Sequence, residues 1–201
     1  MLKVTHLNVN YGESHVIRDI SFDVNEGETV AIMGRNGMGK TTLFKSLIGI
    51  IPAKSGSILM NGAELSSAKS FERVAKGMAY VPQGRMVFPY LTVEENIRTG
   101  MEAAPNADIP EYIYGTFPVL KEMKDRKGGN LSGGQQQQLV IARALVTNPK
   151  VLLLDEPTEG LQPSIIKDIA KALNKLKQER GFSIIVSEQV LSFTMEIADR
   201  F

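Results

Sequence analysis

Nine consecutive residues near the N-terminus have the types and spacing of a phosphate-binding loop. They fit the pattern G-x-x-x-x-G-K-[ST] and are Gly34, Arg35, Asn36, Gly37, Met38, Gly39, Lys40, Thr41 and Thr42. The glycines let consecutive backbone N–H groups point at an anion, and the helix that follows adds its positive dipole end. Lys40 supplies a charge for the β- and γ-phosphates of a nucleotide, and the Thr41 hydroxyl can ligate Mg²⁺. A buried-strand pattern over 28–33 and a helical pattern after Thr42 disfavour the alternative, a glycine-rich turn that binds nothing.

Two adjacent carboxylates, Asp155 and Glu156, follow a fully apolar segment at 151–154. In a protein with a phosphate loop, the first acid at such a strand end lies near Mg²⁺. The second acid is placed to polarise an attacking water, as a general base does. The alternative is a pair of surface acids after a strand. The phosphate loop upstream and Pro157 immediately downstream favour the catalytic interpretation.

The segment L-S-G-G-Q at 131–135 predicts a second anion site. Its residues Ser132, Gly133, Gly134 and Gln135 open a helical pattern, so backbone N–H groups and a hydroxyl are exposed at a helix start. A domain that binds one nucleotide does not need two such sites. Two copies packed head to tail would let each loop close on the γ-phosphate held by the other. We therefore predict a site that is shared between two chains.

Composition excludes several classes of function. The net charge of +1 gives no electrostatic case for binding nucleic acid or an anionic membrane surface. The chain has no cysteine, which excludes disulfides and thiolate metal sites. No apolar run approaches the roughly 20 residues of a membrane helix, and the N-terminus lacks the pattern of a signal peptide. Any membrane role is therefore expected to go through a partner.

Strand and helix patterns around these motifs predict an α/β core with an antiparallel β subdomain. Strands over 2–9 and 16–24 come first, and a hairpin turn at 25–27 is predicted to join the second of them to the strand before Gly34. Further strands are predicted at 57–60, 77–82, 151–154 and 182–186, and helices at 43–48, 71–76, 165–176 and from 190 onwards.

The middle of the chain, residues 84–146, shows no clear strand and predicts an inserted α-helical subdomain. Thr92, with a glutamate three residues later, has the capping-box pattern of a helix start. We therefore predict a single domain over 1–201. Residues 1–83 and 147–201 would form the nucleotide-binding core, and the insert would carry the L-S-G-G-Q loop.

The phosphate loop, L-S-G-G-Q and L-L-L-D-E-P occur in the order found in ATP-binding cassette (ABC) ATPases, which the chain resembles over nearly its whole length. The resemblance implies the P-loop NTPase fold of an ABC ATPase, the cofactors ATP and Mg²⁺, and ATP hydrolysis. It implies a second ABC ATPase subunit packed head to tail, integral-membrane permease subunits, indirectly a periplasmic solute-binding protein, and no nucleic acid. It also implies a peripheral position on the cytoplasmic face of the bacterial inner membrane. Family chains continue past an A-D-R segment, so a truncated C-terminus is expected.

The resemblance assigns roles to residues outside the three motifs. Tyr11 resembles the aromatic residue that stacks on adenine, and Val16 lies where an apolar contact to the nucleotide is usual. Gln83 resembles the glutamine that reaches Mg²⁺ and the lytic water while its loop contacts the membrane partner. Gln189 occupies the position of a histidine that contacts the γ-phosphate. We therefore expect Glu156, Gln83 and Gln189 to be catalytic, and Thr41, Gln83 and Asp155 to hold the metal.

Two segments depart from the common family pattern. Residues 158–162 read T-E-G-L-Q, where the interface loop after the second acid usually reads S-A-L-D. Gln189 replaces the usual histidine, and a glutamine can hydrogen-bond a phosphate oxygen but cannot carry a proton charge. The only histidines, His6 and His15, are expected at the surface, away from this position.

These departures suggest the type of transporter. Glu188-Gln189 is similar to one of the two ATPase subunits of branched-chain amino-acid uptake transporters, and segments 11–16, 135–138 and 158–164 resemble the urea-type version. The first prediction is an ATPase subunit that drives uptake of a small polar solute, most simply urea. Three alternatives stay open: branched-chain amino-acid uptake, a soluble ABC ATPase outside transport, and a cassette that binds ATP without hydrolysing it.

Overall fold

Eight strands, eight α-helices and one 3₁₀ turn make up the computed structural model, which describes all residues 1–201. The strands are β1 Leu2–Tyr11, β2 Ser14–Val24, β3 Thr29–Met33, β4 Ser55–Met60, β5 Ala63–Glu64, β6 Met78–Val81, β7 Val151–Asp155 and β8 Ser183–Glu188. The helices are α1 Lys40–Leu47, α2 Ser70–Ala75, α3 Val93–Arg98, α4 Glu111–Thr116, α5 Pro118–Glu122, α6 Gly133–Leu145, α7 Pro163–Arg180 and α8 Leu191–Ile197, with the 3₁₀ turn at Gly128–Asn130.

The strands form two four-stranded sheets. The antiparallel sheet has the order β2-β1-β4-β5, and the sheet that carries the phosphate loop has the order β3-β8-β7-β6 with all strands parallel. This arrangement confirms the predicted α/β fold with an antiparallel β subdomain. Tight turns join β1 to β2 and β4 to β5, the latter at Asn61 and Gly62, which both have positive φ.

The predicted hairpin at 25–27 is wrong. The chain does turn there, since the Glu28 amide donates to the Asn25 carbonyl at 3.2 Å. However, β2 pairs only with β1, while β3 lies parallel to β8 with Thr29 opposite Ile184. The turn therefore moves the chain from one sheet to the other. The physical reason is burial: β2 is mostly exposed, whereas β3 is largely buried and joins a sheet covered on both faces.

The parallel sheet separates two hydrophobic cores. Along β7, Leu152 and Leu154 point into the core formed with α3 to α8, while Val151 and Leu153 point into the core shared with α1, β1, β2 and β4. Every residue of β7 is buried, which explains the unbroken apolar run over its first four residues, before Asp155.

Residues 84–146 contain α3 to α6 and none of the eight strands. The capping box predicted at Thr92 is confirmed, because Thr92 Oγ1 accepts from the Glu95 amide at 3.1 Å and Glu95 accepts from the Thr92 amide at 2.7 Å. The guanidinium of Arg180 on α7 lies 3.8 Å from the centre of the Tyr112 ring on α4. This stacking joins the helical segment to the core.

A buried arginine from α2 binds the C-terminal end of the phosphate-loop helix. Arg73 is 1% exposed, and its guanidinium donates to the carbonyls of Ser46 and Leu47 at 2.8 Å each, at the C-terminus of α1. It also donates to the carbonyls of Ala68 and Ser66 at 2.9 and 3.0 Å. Burial lowers the pKa of Arg73. The side chain completes carbonyls that α1 itself cannot pair.

None of the helices combines the length and the apolar character that crossing a membrane requires.

Candidate nucleotide-binding site

A cleft of about 590 Å³ opens beside the N-terminus of α1. It brings together phosphate-loop residues, the β1–β2 hairpin and two residues from the ends of parallel strands. Its lining residues are Tyr11, Ser14, Val16, Asn36, Gly37, Gly39, Lys40, Thr41, Thr42, Lys45, Gln83 and Glu156. One cleft therefore contains residues from separate sequence motifs together with residues that only the resemblance had connected to the nucleotide.

Gly39 joins the hairpin to the phosphate loop. Its φ is 91°, and a Cβ atom there would lie 2.8 Å from Cγ1 of Val16. Glycine is required both by the backbone conformation and by this close approach. Gly39 also precedes α1, whose start has no side-chain cap, so the first N–H groups of the helix are available to an anion.

The Lys40 ammonium is held inside the protein. Nζ donates to the carbonyls of Gly34 and Arg35 at 2.7 and 3.2 Å and pairs with Glu156 Oε1 at 3.1 Å. The side chains of Lys40 and Glu156 are only 6% and 10% exposed, so little water screens this ion pair. The side chains of Arg35 and Met38 are exposed and do not line the cleft.

The Glu156 carboxylate accepts from three side chains. Lys40 and Gln189 were predicted to contact the γ-phosphate, and Gln83 was predicted to reach Mg²⁺ and the lytic water. Besides Lys40, the Gln189 amide donates to Oε1 at 3.1 Å, and the Gln83 amide donates to Oε2 at 3.4 Å. Gln189 also donates to Oδ1 of Asn36 in the phosphate loop. The side-chain amide of Gln189 therefore bridges the phosphate loop and Glu156.

Asp155 lies fully buried at the end of β7, next to Glu156. Ser187 Oγ donates to Oδ1 of Asp155 at 2.5 Å, and the Tyr80 hydroxyl donates to Oδ2 at 3.2 Å. Burial raises the pKa of Tyr80, and the charge of Asp155 and the hydrogen bond to it raise this pKa further, so the hydroxyl remains a donor. Two hydroxyls thus orient a carboxylate that has no cation partner.

The donor set fits Mg²⁺ in the way that phosphate-binding proteins use it. The chain contains no group of three or more acidic or histidine side chains that could hold a metal by themselves. Mg²⁺ prefers oxygen ligands and is commonly held by one or two protein groups together with phosphates and water. The Thr41 hydroxyl in the cleft supplies an oxygen of this kind, and so does the Asp155 carboxylate, although Asp155 is fully buried and is not among the residues that line the cleft.

Ser132, Gly133, Gly134 and Gln135 do not line the cleft but begin α6. Ser132 and Gln135 cap the helix reciprocally, with distances of 3.3 and 3.0 Å. A Cβ atom on Gly133 would lie 2.5 Å from the Arg85 guanidinium, and one on Gly134 would lie 2.9 Å from Ile165. The two predicted anion sites are therefore separate within one chain, as the composite-site hypothesis requires.

Reasoning from the sequence did not identify several residues of the site. Lys45 lines the cleft one helical turn after Thr41, a spacing that could have identified it. Tyr80 and Ser187 lie on β6 and β8, the neighbours of β7, and Ser187 is directly opposite Asp155. The only sequence signal for them is a polar residue at or near the end of an apolar strand.

Comparisons with known proteins agree with this geometry. The family model described as "ABC transporter" matches residues 17–159. The high-affinity branched-chain amino acid transport ATP-binding protein BraG of Pseudomonas aeruginosa is 40% identical, covering 100% of this chain and 87% of that protein. A probable branched-chain amino acid transport ATP-binding protein, LivF of Archaeoglobus fulgidus, is 37% identical, covering 99% and 86%. The lipopolysaccharide export system ATP-binding protein LptB of Escherichia coli K12 is 32% identical, covering 99% and 84%.

Solved structures show the same fold. A bacterial ABC transporter cassette solved as a dimer superposes with a TM-score of 0.85 at 26% identity, covering 98% of this chain and 91% of that one. An ATP-binding cassette in an ADP conformation superposes with a TM-score of 0.80 at 27% identity, covering 99% and 85%. The chain belongs to the ABC transporter family, as a nucleotide-binding, ATP-hydrolysing cassette.

Proposed function

We propose that the chain is the ATPase subunit of an importer for branched-chain amino acids. The observation that carries this proposal is the full-length similarity to BraG and LivF, at 40% and 37% identity, both named for branched-chain amino acid transport. The urea-type assignment has no support among the relatives reported above. The amino-acid alternative therefore replaces it.

In the proposed reaction, ATP binds between the cleft of one subunit and the Ser132 loop of its partner. Tyr11 and Val16 take the base and sugar side of the nucleotide, and the phosphate loop takes the phosphates. Thr41 and Asp155 would hold Mg²⁺, which would supply positive charge next to the phosphates. Glu156 then moves from Lys40 to a water molecule and accepts its proton, while the water oxygen bonds to the γ-phosphorus and the bond from that phosphorus to the bridging oxygen of ADP breaks. The chain contributes mainly positioning and electrostatic stabilisation.

Lys40 and Gln189 are proposed to exchange the Glu156 carboxylate for the γ-phosphate. Both side chains already point at one anion, the carboxylate, at 3.1 Å. A γ-phosphate presents the same kind of oxygen acceptor to the same donors. Gln83 donates more weakly to Glu156 and also bonds Glu159 at 3.0 Å, so it can follow either acid as the site closes.

An apolar surface next to Gln83 suits the membrane partner. A groove between α2, β6 and α6 contains Val74, Pro82 and Phe88, with the more exposed Phe71 nearby on α2. The fully buried Asn96 fixes the segment that carries Phe88. Its Oδ1 accepts from the Phe88 backbone amide at 2.8 Å, and its Nδ2 donates to the Phe88 carbonyl at 3.0 Å. Exposed apolar side chains on a rigid loop are typical of a protein contact. We propose that the permease binds there.

The test is transport by the assembled complex. The chain is co-expressed with the permease and binding-protein genes beside its own, and the complex is reconstituted into liposomes with ATP. We expect saturable uptake of leucine or valine and ATP hydrolysis stimulated by the loaded binding protein. Uptake or stimulation by urea with none by leucine would refute the proposed substrate.

Export is the second candidate, because the LptB relative is named for lipopolysaccharide export at 32% identity. Genes for a periplasmic binding protein in the same cluster would favour import. A cluster without them, and a complex whose ATPase responds to lipopolysaccharide, would favour export.

A further inference from the structure

Glu188, the last residue of β8, carries a carboxylate that is buried yet has no basic partner. The residue is 2% exposed, and none of the ion pairs in the structure includes it. A buried carboxylate that is left without compensation strongly destabilises a fold. Here the compensation comes entirely from four hydrogen bonds, so the identity of their donors shows what the side chain does.

Each oxygen of the carboxylate serves a different loop. Oε1 accepts from the Thr158 amide at 3.0 Å and from the Thr158 hydroxyl. Oε2 accepts from the backbone N–H groups of Gln189 and Val190 at 2.8 and 3.0 Å. Thr158 begins the loop 158–162, which follows the catalytic acid. Gln189 bridges Glu156 and Asn36 in the cleft.

We propose that Glu188 is a positioning residue that couples the Gln189 loop to the loop at 158–162. When Gln189 leaves Glu156 for the γ-phosphate, its backbone amide moves with it. The shared carboxylate then passes this displacement to Thr158. The resemblance implies that the loop at 158–162 lies at the interface with the second subunit, so a γ-phosphate bound in one subunit would be sensed there. This coupling rests on the site residues proposed above but not on the identity of the transported solute.

The chemistry of the side chain makes the proposal specific. A carboxylate has two acceptor oxygens and no hydrogen to donate, which matches two pairs of donors. In Glu188→Gln, the new NH₂ group must face one donor pair, and that pair loses its acceptor. One loop stays attached while the other is released, although the volume of the side chain hardly changes.

The experiment is hydrogen exchange of the full chain, at a concentration where light scattering shows a monomer, with ATPγS or ADP bound. In the unsubstituted chain we expect ATPγS to protect both 157–162 and 188–191 more than ADP does. In Glu188→Gln we expect this difference to be lost in 157–162 and kept in 188–191, because Gln189 contacts the γ-phosphate directly whereas Thr158 responds only through the shared carboxylate. Thr158→Val removes only the hydroxyl bond and should shrink the difference in 157–162, which provides a test if Glu188→Gln does not fold.

The control is Ser183→Ala on the same strand. Ser183 is fully buried, and its hydroxyl holds the turn at 25–27 through the Asn25 carbonyl at 2.7 Å and the Gly27 amide at 3.0 Å. We expect it to lower the melting temperature and leave both ATPγS responses intact. The coupling is refuted if 157–162 does not respond to ATPγS in the unsubstituted chain, or if both segments still respond in Glu188→Gln and in Thr158→Val. Failure of ATPγS to bind at all would instead refute the assigned nucleotide site.

Discussion

At the scale of single residues, the site resolves into two carboxylates in different surroundings. Glu156 is bound to a cation and two amides, whereas Asp155 is bound to two hydroxyls. The ammonium and amide donors around Glu156 can bind another anion in its place, whereas Asp155 is fully buried between two hydroxyls. This difference is what we expect of Glu156 as the proposed general base and of Asp155 as the proposed metal ligand.

We predict that Glu156→Gln lowers the rate of ATP hydrolysis by about 10²- to 10⁴-fold, since it removes the proposed general base. The same change removes the charge that holds Lys40 at 3.1 Å. ATP affinity should therefore rise, and rise more than ADP affinity, because only ATP brings a γ-phosphate to these donors. Single-turnover hydrolysis and calorimetric titration with each nucleotide measure the two effects.

Glu159→Gln is the matched control for this variant. Glu159 accepts from Gln83 at 3.0 Å and does not pair with Lys40. The ratio of ATP to ADP affinity should stay near that of the unsubstituted chain. Undiminished hydrolysis in Glu156→Gln would remove Glu156 from its role, and equal gains for ATP and ADP would contradict the exchange of anions.

We predict that Ser187→Ala raises the Mg²⁺ concentration needed for half-maximal ATP binding by about tenfold. Asp155 is the proposed metal ligand, and loss of a residue that orients a metal ligand costs affinity on that scale. The change leaves Asp155 with the Tyr80 hydroxyl alone and also removes an acceptor from the Glu156 amide, at 3.1 Å. Calorimetric titration of ATP at several Mg²⁺ concentrations measures it. An unchanged Mg²⁺ requirement, together with unchanged ATP affinity in EDTA, would show that Ser187 does not position Asp155.

At the scale of elements, the phosphate-loop helix is anchored at both ends. Its first turn depends on the contact of Gly39 with Val16, and its last turn depends on Arg73. We predict that Arg73→Met destabilises the chain by about 3 kcal/mol, because buried carbonyls lose their only side-chain donor. Urea denaturation measures this loss.

Arg98→Met is the comparison for that experiment. Arg98 forms a partly exposed pair with Glu94 on α3, at 3.0 Å, and donates to the Ala107 carbonyl at an exposed site, also at 3.0 Å. Partly exposed ion pairs of this kind contribute less than about 1 kcal/mol. Equal losses for the two variants would mean that the carbonyls at the end of α1 are satisfied by water once Arg73 is removed.

The helices and strands were largely predictable from the sequence, but the pairing of the strands and the contacts between distant residues were not. Periodicity and capping residues identified α3, α6 and α7 because these signals lie within one turn or one stretch of chain. The turn at 25–27 looks the same locally whether the next strand stays in the sheet or leaves it. Tyr80 and Ser187 meet Asp155 across 75 and 32 residues of chain, so only the strand order brings them together. The motif residues were found because their chemistry is encoded in contiguous spacing.

At the scale of the whole molecule, the separation of the cleft from the start of α6 predicts that hydrolysis needs two chains. We predict that Lys40→Ala and Ser132→Arg are each inactive and that a mixture of the two regains activity. In a mixed head-to-tail pair, one site has an intact Lys40 from one chain and an intact Ser132 from the other. Steady-state ATPase of the mixture, over a range of protein concentrations, measures this.

Both variants must first be shown to be folded, by circular dichroism and melting temperature. A mixture that stays as inactive as either variant alone would indicate that two copies of this chain do not form the active pair, and that a different cassette supplies the second half.

The alternation of β7 side chains between two cores has a consequence for how the chain unfolds. Because one strand supplies both cores, neither core can lose its packing while the other keeps it. The chain should therefore melt in a single cooperative transition, with equal calorimetric and van't Hoff enthalpies. A nucleotide bound in the cleft would then raise the melting temperature of the entire chain, including elements that do not line the cleft, such as α4 and α5.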